Sequence, residues 1–188
     1  ASFNGLPSFQ AAASSLSLID FNTDTAGNPT VDGVDIGNTY GSLGAVFPAG
    51  NFFNDSFIQP SSPPMGWLSN TGAPASIFEV DFTIPGVTAV GVVNPLFASQ
   101  ATLSAFDSAN NLLESVLADS DGNSLDFYGV TTASDIARVT IVFDGRLGWG
   151  LDDLYFGVAG DQRVPEPGSL ALLGLGLAGL GLSRRRKA

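Results

Sequence analysis

The chain has no cysteine and no histidine. Without cysteine there is no disulfide framework and no thiol chemistry. Without histidine the usual general base, the usual zinc ligand and the base partner of a nucleophilic serine are all missing. Lysine occurs once, at Lys187, and no Gly-x-x-x-x-Gly-Lys run exists. The phosphate-cradling loop built on that pattern is therefore excluded. Glutamate is confined to Glu79, Glu114 and Glu166. Basic charge is nearly as scarce: up to residue 163 there are 17 acidic side chains against three basic ones (Arg138, Arg146 and Arg163), a net charge of −14. Such a surface repels nucleic acid and anionic lipid, so neither is expected as a partner.

What is present points to strands and turns. Of the 18 acids, 15 are aspartate, and there are 23 glycines and 11 prolines among 188 residues. Aspartate favours turns and is a common calcium ligand. That much glycine and proline disfavours long helices and suits short strands. Setting aside the C-terminal stretch leaves about 160 residues, enough for one domain with its own core.

Residues 1–15 are small and polar, with Phe3 and Phe9 isolated, and read as a loose arm or an edge strand. Leu16 to Phe21 is the first clear strand, closed by the turn cluster Asn22 to Pro29. Short strands are expected over Thr30–Val34 and Gly44–Phe47. Asn51 to Ser76 reads as a long loop carrying Phe52, Phe53, Phe57 and Trp67, which either tuck under it or form a stacking platform for a sugar. Ile77 to Ile84 alternates cleanly, with Phe78, Val80, Phe82 and Ile84 on one face and Glu79, Asp81 and Thr83 on the other. Val87 to Val93 is apolar on both faces and so reads as central. Strands at 101–106 and 112–117 flank the hairpin turn Asp107–Asn111, and further strands follow at 125–130, 137–143 and 151–156. In 137–143 the inward residues are Val139, Ile141 and Phe143. About nine short strands at this spacing predict an all-β domain over 16–160, an antiparallel β-sandwich of jelly-roll type.

Residues 161–188 are of another kind. A linker leads to Val164-Pro165-Glu166-Pro167-Gly168-Ser169, then to Leu170–Leu182, 13 residues of only Leu, Ala and Gly, then to Ser183 and the basic end Arg184-Arg185-Arg186-Lys187. The two prolines forbid helix behind them. The apolar run predicts a short C-terminal helix. A stable span takes ~20 apolar residues, so this one is too short for permanent anchoring. Basic charge at its end is expected to stay on the cytoplasmic side. These three parts in this order resemble the PEP-CTERM sorting signal of Gram-negative bacteria. The resemblance covers about the last 25 residues. It implies export, transient membrane insertion through the tail, and recognition by an exosortase-type membrane enzyme. It also implies removal of the tail and delivery to the cell surface or an exopolysaccharide matrix. The sorting residues it implies are Val164, Pro165, Glu166, Pro167, Arg184, Arg185 and Arg186. Ala1 is what cleavage at a small-residue site would leave, in keeping with an exported chain. Over residues 16–157, the opening Ile19-Asp20-Phe21, the closing Gly148-Trp149-Gly150-Leu151-Asp152-Asp153-Leu154-Tyr155-Phe156 and the hairpin between them resemble ectodomains carried by such tails. Those are similar to carbohydrate-binding and galactose-binding-like modules.

Candidate sites follow. Asp152 and Asp153 are adjacent in a strand and so point to opposite faces, Asp152 with Leu154 and Phe156, Asp153 with Leu151 and Tyr155. Both faces are apolar, so at least one carboxylate nears the core and needs a partner. First and last strands are often neighbours in such sandwiches, which makes Asp20 and Asp24 co-ligands of a structural calcium. Resemblance to calcium-stabilised sugar-binding sandwiches adds to this; hydrogen-bonded turn carboxylates are the other reading. Asp119-Ser120-Asp121-Gly122-Asn123 reads as an ordinary turn, because Ser124 and Val130 stand where a calcium loop needs Gly and Glu. Glu79 and Asp81 sit about 7 Å apart on one strand face, within glycosidase range, but exposed strands carry such pairs routinely. Trp149, flanked by glycines and near Arg146, suits stacking on a sugar ring or closes the sandwich end; Trp67 is a second sugar-stacking candidate. The expected function is a non-enzymatic, exported surface or matrix protein that binds exopolysaccharide. The rival is a homo-oligomeric filament or sheath subunit that donates residues 1–15 as an edge strand.

Overall fold

The period-2 stretches fold into two antiparallel sheets packed face to face. The computed structural model describes residues 1–31, 33–48, 52–54, 67–69, 77–94, 100–119, 126–143 and 150–160. Its strands are β1 (Ser2–Phe3), β2 (Ala13–Ile19), β3 (Ala45–Val46), β4 (Phe52–Asn54), β5 (Trp67–Ser69), β6 (Ile77–Phe82), β7 (Ala89–Asn94), β8 (Gln100–Phe106), β9 (Leu112–Asp119), β10 (Asp126–Thr131), β11 (Arg138–Phe143) and β12 (Gly150–Ala159), with a helix α1 (Leu6–Ala12). One sheet runs β1-β10-β7-β12-β5-β4, with β2 also paired to β12. The other runs β3-β6-β11-β8-β9. This is the antiparallel sandwich of jelly-roll type that the alternation predicts; the C-terminal helix lies outside the described residues.

The inward residues make one core between the sheets. Phe78 and Val80 of β6, Leu103 of β8, and Val139 and Ile141 of β11 meet Val90 and Val92 of β7, Tyr128 of β10 and Phe156 of β12. Ile84, expected on that inner face, is 43% exposed, because β6 ends at Phe82 and the chain turns away. β7 is central, as its two-sided apolar pattern requires: β10 lies on one side of it and β12 on the other. Its second face needs a cover, and α1 supplies it. Phe9 of α1, fully buried, packs with Ala89 and Val93 of β7 and with Phe127 of β10.

The helix corrects the expected arm or edge strand over residues 1–15. Ser2 and Phe3 do pair along the edge, opposite Val130 and Gly129. Residues 6–12 then turn helical, with Pro7 in the first turn and no side-chain cap on Gly5. A helix of seven residues is below the length that is stable alone, so packing of Phe9 and Ala12 holds it. Two glycines admit this packing. A Cβ on Gly91 would stand 2.4 Å from the Phe127 ring, and one on Gly129 would stand 3.0 Å from the Phe9 ring.

Other boundaries also move. β2 starts three residues before the expected Leu16. Among the described residues of 30–34 no strand forms: Thr30 donates its backbone N–H to the Asn22 carbonyl and its hydroxyl to the Phe21 carbonyl, closing a loop instead. β4 and β5 lie in the stretch read as one long loop and pair with each other, Phe53 opposite Leu68.

Candidate functional site

The adjacent aspartates of β12 do not alternate. Asp152 pairs with Val93 of β7 and Leu154 pairs with Val92, so Asp153 is an extra residue in a β-bulge. Its φ is +42°, in the left-handed region, which aspartate tolerates better than most residues. The bulge resets the parity of the strand. Leu151, expected to share a face with Asp153 and Tyr155, instead joins Leu154 and Phe156 in the core between the sheets, while Tyr155 packs on the α1 side. Both carboxylates are buried, at 0% and 7% exposure. Asp152 Oδ1 accepts the Asp153 N–H at 2.9 Å, and Asp153 Oδ2 accepts the Tyr155 hydroxyl at 3.4 Å. Burial, then the charge and hydrogen bond of Asp153 and the charge of Asp152, raise the Tyr155 phenol to about 12.

The first long strand and the last are neighbours, since β2 pairs with β12 and Ile19 lies opposite Leu154. Asp20, next in the chain, therefore ends β2 beside the bulge. Its Oδ1 accepts the Asn22 N–H at 3.0 Å. Asp24 is committed to its own turn. Its Oδ1 accepts the N–H groups of Ala26 and Asn28, and its Oδ2 accepts the Asn28 side-chain amide. Asp107 does the same with Ala109 and Asn111. Burial pushes the Tyr40 phenol strongly up, with the charges of Asp20 and Asp24 adding to it. Among the described residues no three His, Cys, Asp or Glu side chains group to hold a metal.

Glu79 reaches Arg138 diagonally across the β6–β11 pair, Oε1 to Nη1 at 3.8 Å, with Asp81 directly opposite Arg138 in register, and Arg138 lies over the Phe106 ring at 5.3 Å. Arg138 also donates to Asn110 in the β8–β9 turn. Glu79 is thus one partner in a surface charge cluster on the outer face of the second sheet.

A cleft of about 490 Å³ opens at the end of the sandwich where β7 begins. Three connections line it: β6–β7 with Thr83, Ile84 and Pro85, the β8–β9 turn with Asp107, and β10–β11 with Ser134 and Asp135. Backbone bonds tie the connections together. Ile136 N–H donates to Val87 O at 2.7 Å and Ala137 N–H to Phe106 O at 2.8 Å. Asp135 Oδ2 accepts the Gly86 N–H at 2.9 Å. Asp152 pairs near the other end of β7, so cleft and bulge are at opposite ends of that strand. Sequence reading did not find the cleft. Its lining segments, 82–85, 107–108 and 134–137, stand 22 to 55 positions from one another, and the local signal is a polar connection after an apolar strand.

Trp149, Arg146 and the sorting residues Val164, Pro165, Glu166, Pro167, Arg184, Arg185 and Arg186 lie outside the described residues, as does the Asp121–Asn123 turn. Trp67 is in β5, next to Leu68, which pairs with Phe53.

Among solved structures the chain is similar to three kinds of domain. The K2 cleaved adhesin domain of Lys-gingipain matches at 12% identity, with 84% of this chain and 100% of that one covered and a TM-score of 0.43. A variant of CBM29-2, a family 29 carbohydrate binding module, matches at 8% identity, with 80% and 99% covered and a TM-score of 0.43. A variant of the lectin binding domain of Lectinolysin, complexed with Lewis b, matches at 16% identity, with 50% and 72% covered and a TM-score of 0.42. No match is found among curated proteins. Residues 163–187 match the PEP-CTERM protein-sorting motif, so the chain is an antiparallel β-sandwich followed by a PEP-CTERM tail, a motif that implies export and transient membrane anchoring.

Proposed function

We propose that this protein is a non-enzymatic, exported cell-surface or extracellular-matrix protein whose β-sandwich binds exopolysaccharide. The observation that carries the reading is the sorting motif at residues 163–187, which directs the chain outward through an exosortase-type enzyme. The body fits that destination. It lacks histidine and cysteine, so the commonest catalytic bases and nucleophile pairs are missing. Glu79, one half of the only carboxylate pair set out for glycoside chemistry, is engaged with Arg138. The body offers hydroxyl- and carboxylate-rimmed space of the size that takes small ligands. Trp149, Trp67 and Arg146 add stacking and hydrogen-bonding capacity to this reading.

Two measurements test it. Fractionation of cells expressing the full chain is expected to place the body at the surface or in the matrix, and deletion of residues 164–188 is expected to retain or misroute it. Purified body is expected to co-sediment with the native exopolysaccharide, less so after Trp149→Ala or Trp67→Ala. Body that stays soluble beside the polysaccharide at every ratio overturns the binding half. Unchanged sorting of the truncated chain overturns the export half.

A further inference from the structure

The cleft at the start of β7 has a charge character that selects among sugars. Its apolar lining is the buried Phe82 and Ile136 with the exposed Ile84 and Pro85 beside them. Its rim is polar, with hydroxyls from Thr83, Ser108 and Ser134 and carboxylates from Asp107 and Asp135. No lysine or arginine lines it. A sugar ring has the matching division: C–H faces that pack on aliphatic surface and an equator of hydroxyls that hydrogen-bond. The volume of about 490 Å³ is within the ~300–1,000 Å³ typical of small-ligand sites and suits one or two rings.

Charge decides which ring. Hydrogen bonds from the Asn111 side chain and backbone, and one from the Ala109 backbone, hold the Asp107 carboxyl below its usual range, so Asp107 adds fixed negative charge to the rim while its oxygens stay bonded within its own turn. Around the cleft the body carries a net −14 up to residue 163. A uronate or other anionic sugar would meet like charge at the rim and from the whole domain. A sugar bearing a free amino group would be drawn by both. We propose that this cleft binds hexosamine units with free amino groups, along a polysaccharide that carries them. The proposal rests on the exopolysaccharide reading above and gives it a site and a substrate class. A single exposed site of this kind binds weakly, and repeated units along one strand raise the apparent affinity.

The cleft is already shaped. Its three lining connections are tied by the Ile136 to Val87, Ala137 to Phe106 and Gly86 to Asp135 bonds, so little ordering cost remains on binding. Asp135 is exposed, and its structural duty is to accept one N–H, which an asparagine oxygen can also do. Ser108 is exposed at the turn beside it, where a large side chain would fill the cleft without entering the core.

The test is calorimetric titration of the body at low salt with three probes: a glucosamine hexamer, its fully N-acetylated counterpart and a uronate hexamer. The glucosamine hexamer is expected to bind, the acetylated one at least tenfold more weakly, and the uronate not at all. Asp135→Asn is expected to weaken glucosamine binding about five- to tenfold, the share of one nearby charge in water. Ser108→Trp is expected to abolish it, with both variants melting like the parent. Equal or tighter binding of the acetylated or uronate probe overturns the proposal, as does parent-like affinity in both variants. If no probe binds while the native exopolysaccharide is still retained, the cleft assignment fails and the wider reading stands. If neither is bound, both fail.

Discussion

Replacing Phe9 with alanine should cost more than any substitution in the rest of the first fifteen residues. The ring is fully buried. It stands edge-on to Phe3 with centroids 5.8 Å apart and tilted against Phe127 at 5.1 Å. It is the main weight holding α1 over the outer face of β7. Truncating a buried phenylalanine to alanine costs about 3–5 kcal/mol, transfer and cavity terms together. Nothing local offsets the loss, because the helix is seven residues long and lacks a side-chain cap. For a chain of this size each kcal/mol moves the melting temperature by about 2–4 °C, so a fall of about 6–20 °C is expected. Urea unfolding and thermal melting of Phe9→Ala measure it. Leu112→Ala, at a position 58% exposed, is the control and should stay within about 0.5 kcal/mol. A loss below about 1 kcal/mol for Phe9→Ala would refute the reasoning, by showing that the N-terminal segment is not part of the packed body. The same number bears on assembly. Donation of residues 1–15 to a neighbouring subunit requires this segment to leave its own sheet, and the loss measured for Phe9 is a lower bound on that cost.

Further outcomes are expected. Gly91→Ala sets a Cβ 2.4 Å from the Phe127 ring and should destabilise by about 1–3 kcal/mol, read by denaturant midpoint; a neutral result would mean that Phe127 swings clear. Tyr155 is held at about 12 by burial and by Asp153 and Asp152, against about 10 for a free phenol. A raised acid keeps its proton in the fold, so its contribution is complete below about pH 10 and is lost as pH rises towards 12. Stability should therefore fall over that window, less steeply in Tyr155→Phe, and absorbance titration should show Tyr155 ionising late; a normal titration midpoint would contradict the burial. Calcium chelation should leave the melting temperature unchanged, because Asp24 is spent on its own turn and no three described acids converge. A drop of several degrees would assign a cation to the aspartates.

Much of the fold was legible because it depends on local alternation. Phe78, Val80 and Phe82 repeat at period 2, and Val90 and Val92 alternate with Ala89 and Val93 in a strand buried on both faces. Those patterns mark β6 as one-sided and β7 as central whatever surrounds them. The helix was not legible. Leu6 to Ala12 carries little more than Phe9 as an apolar anchor, and its conformation is chosen by the open face of β7 that Phe9 fills. Asp153 was misplaced for a related reason. A strict period assigns it a face, but the bulge opposite Val92 and Val93 belongs to a pair of strands some sixty residues apart.

By itself the sequence determined three things: the absence of histidine and cysteine chemistry, the strongly acidic body, and a tail of proline, apolar run and basic cluster. Composition and short contiguous motifs carry these, so no folding is needed to read them. Only the tertiary structure decided that residues 6–12 cap β7, that Asp152 and Asp153 are both buried at a bulge, and that Asp107 and Asp135 share the rim of one cleft. Each of these is set by strand register and loop packing between distant segments, and register is a property of the paired strands rather than of either one alone.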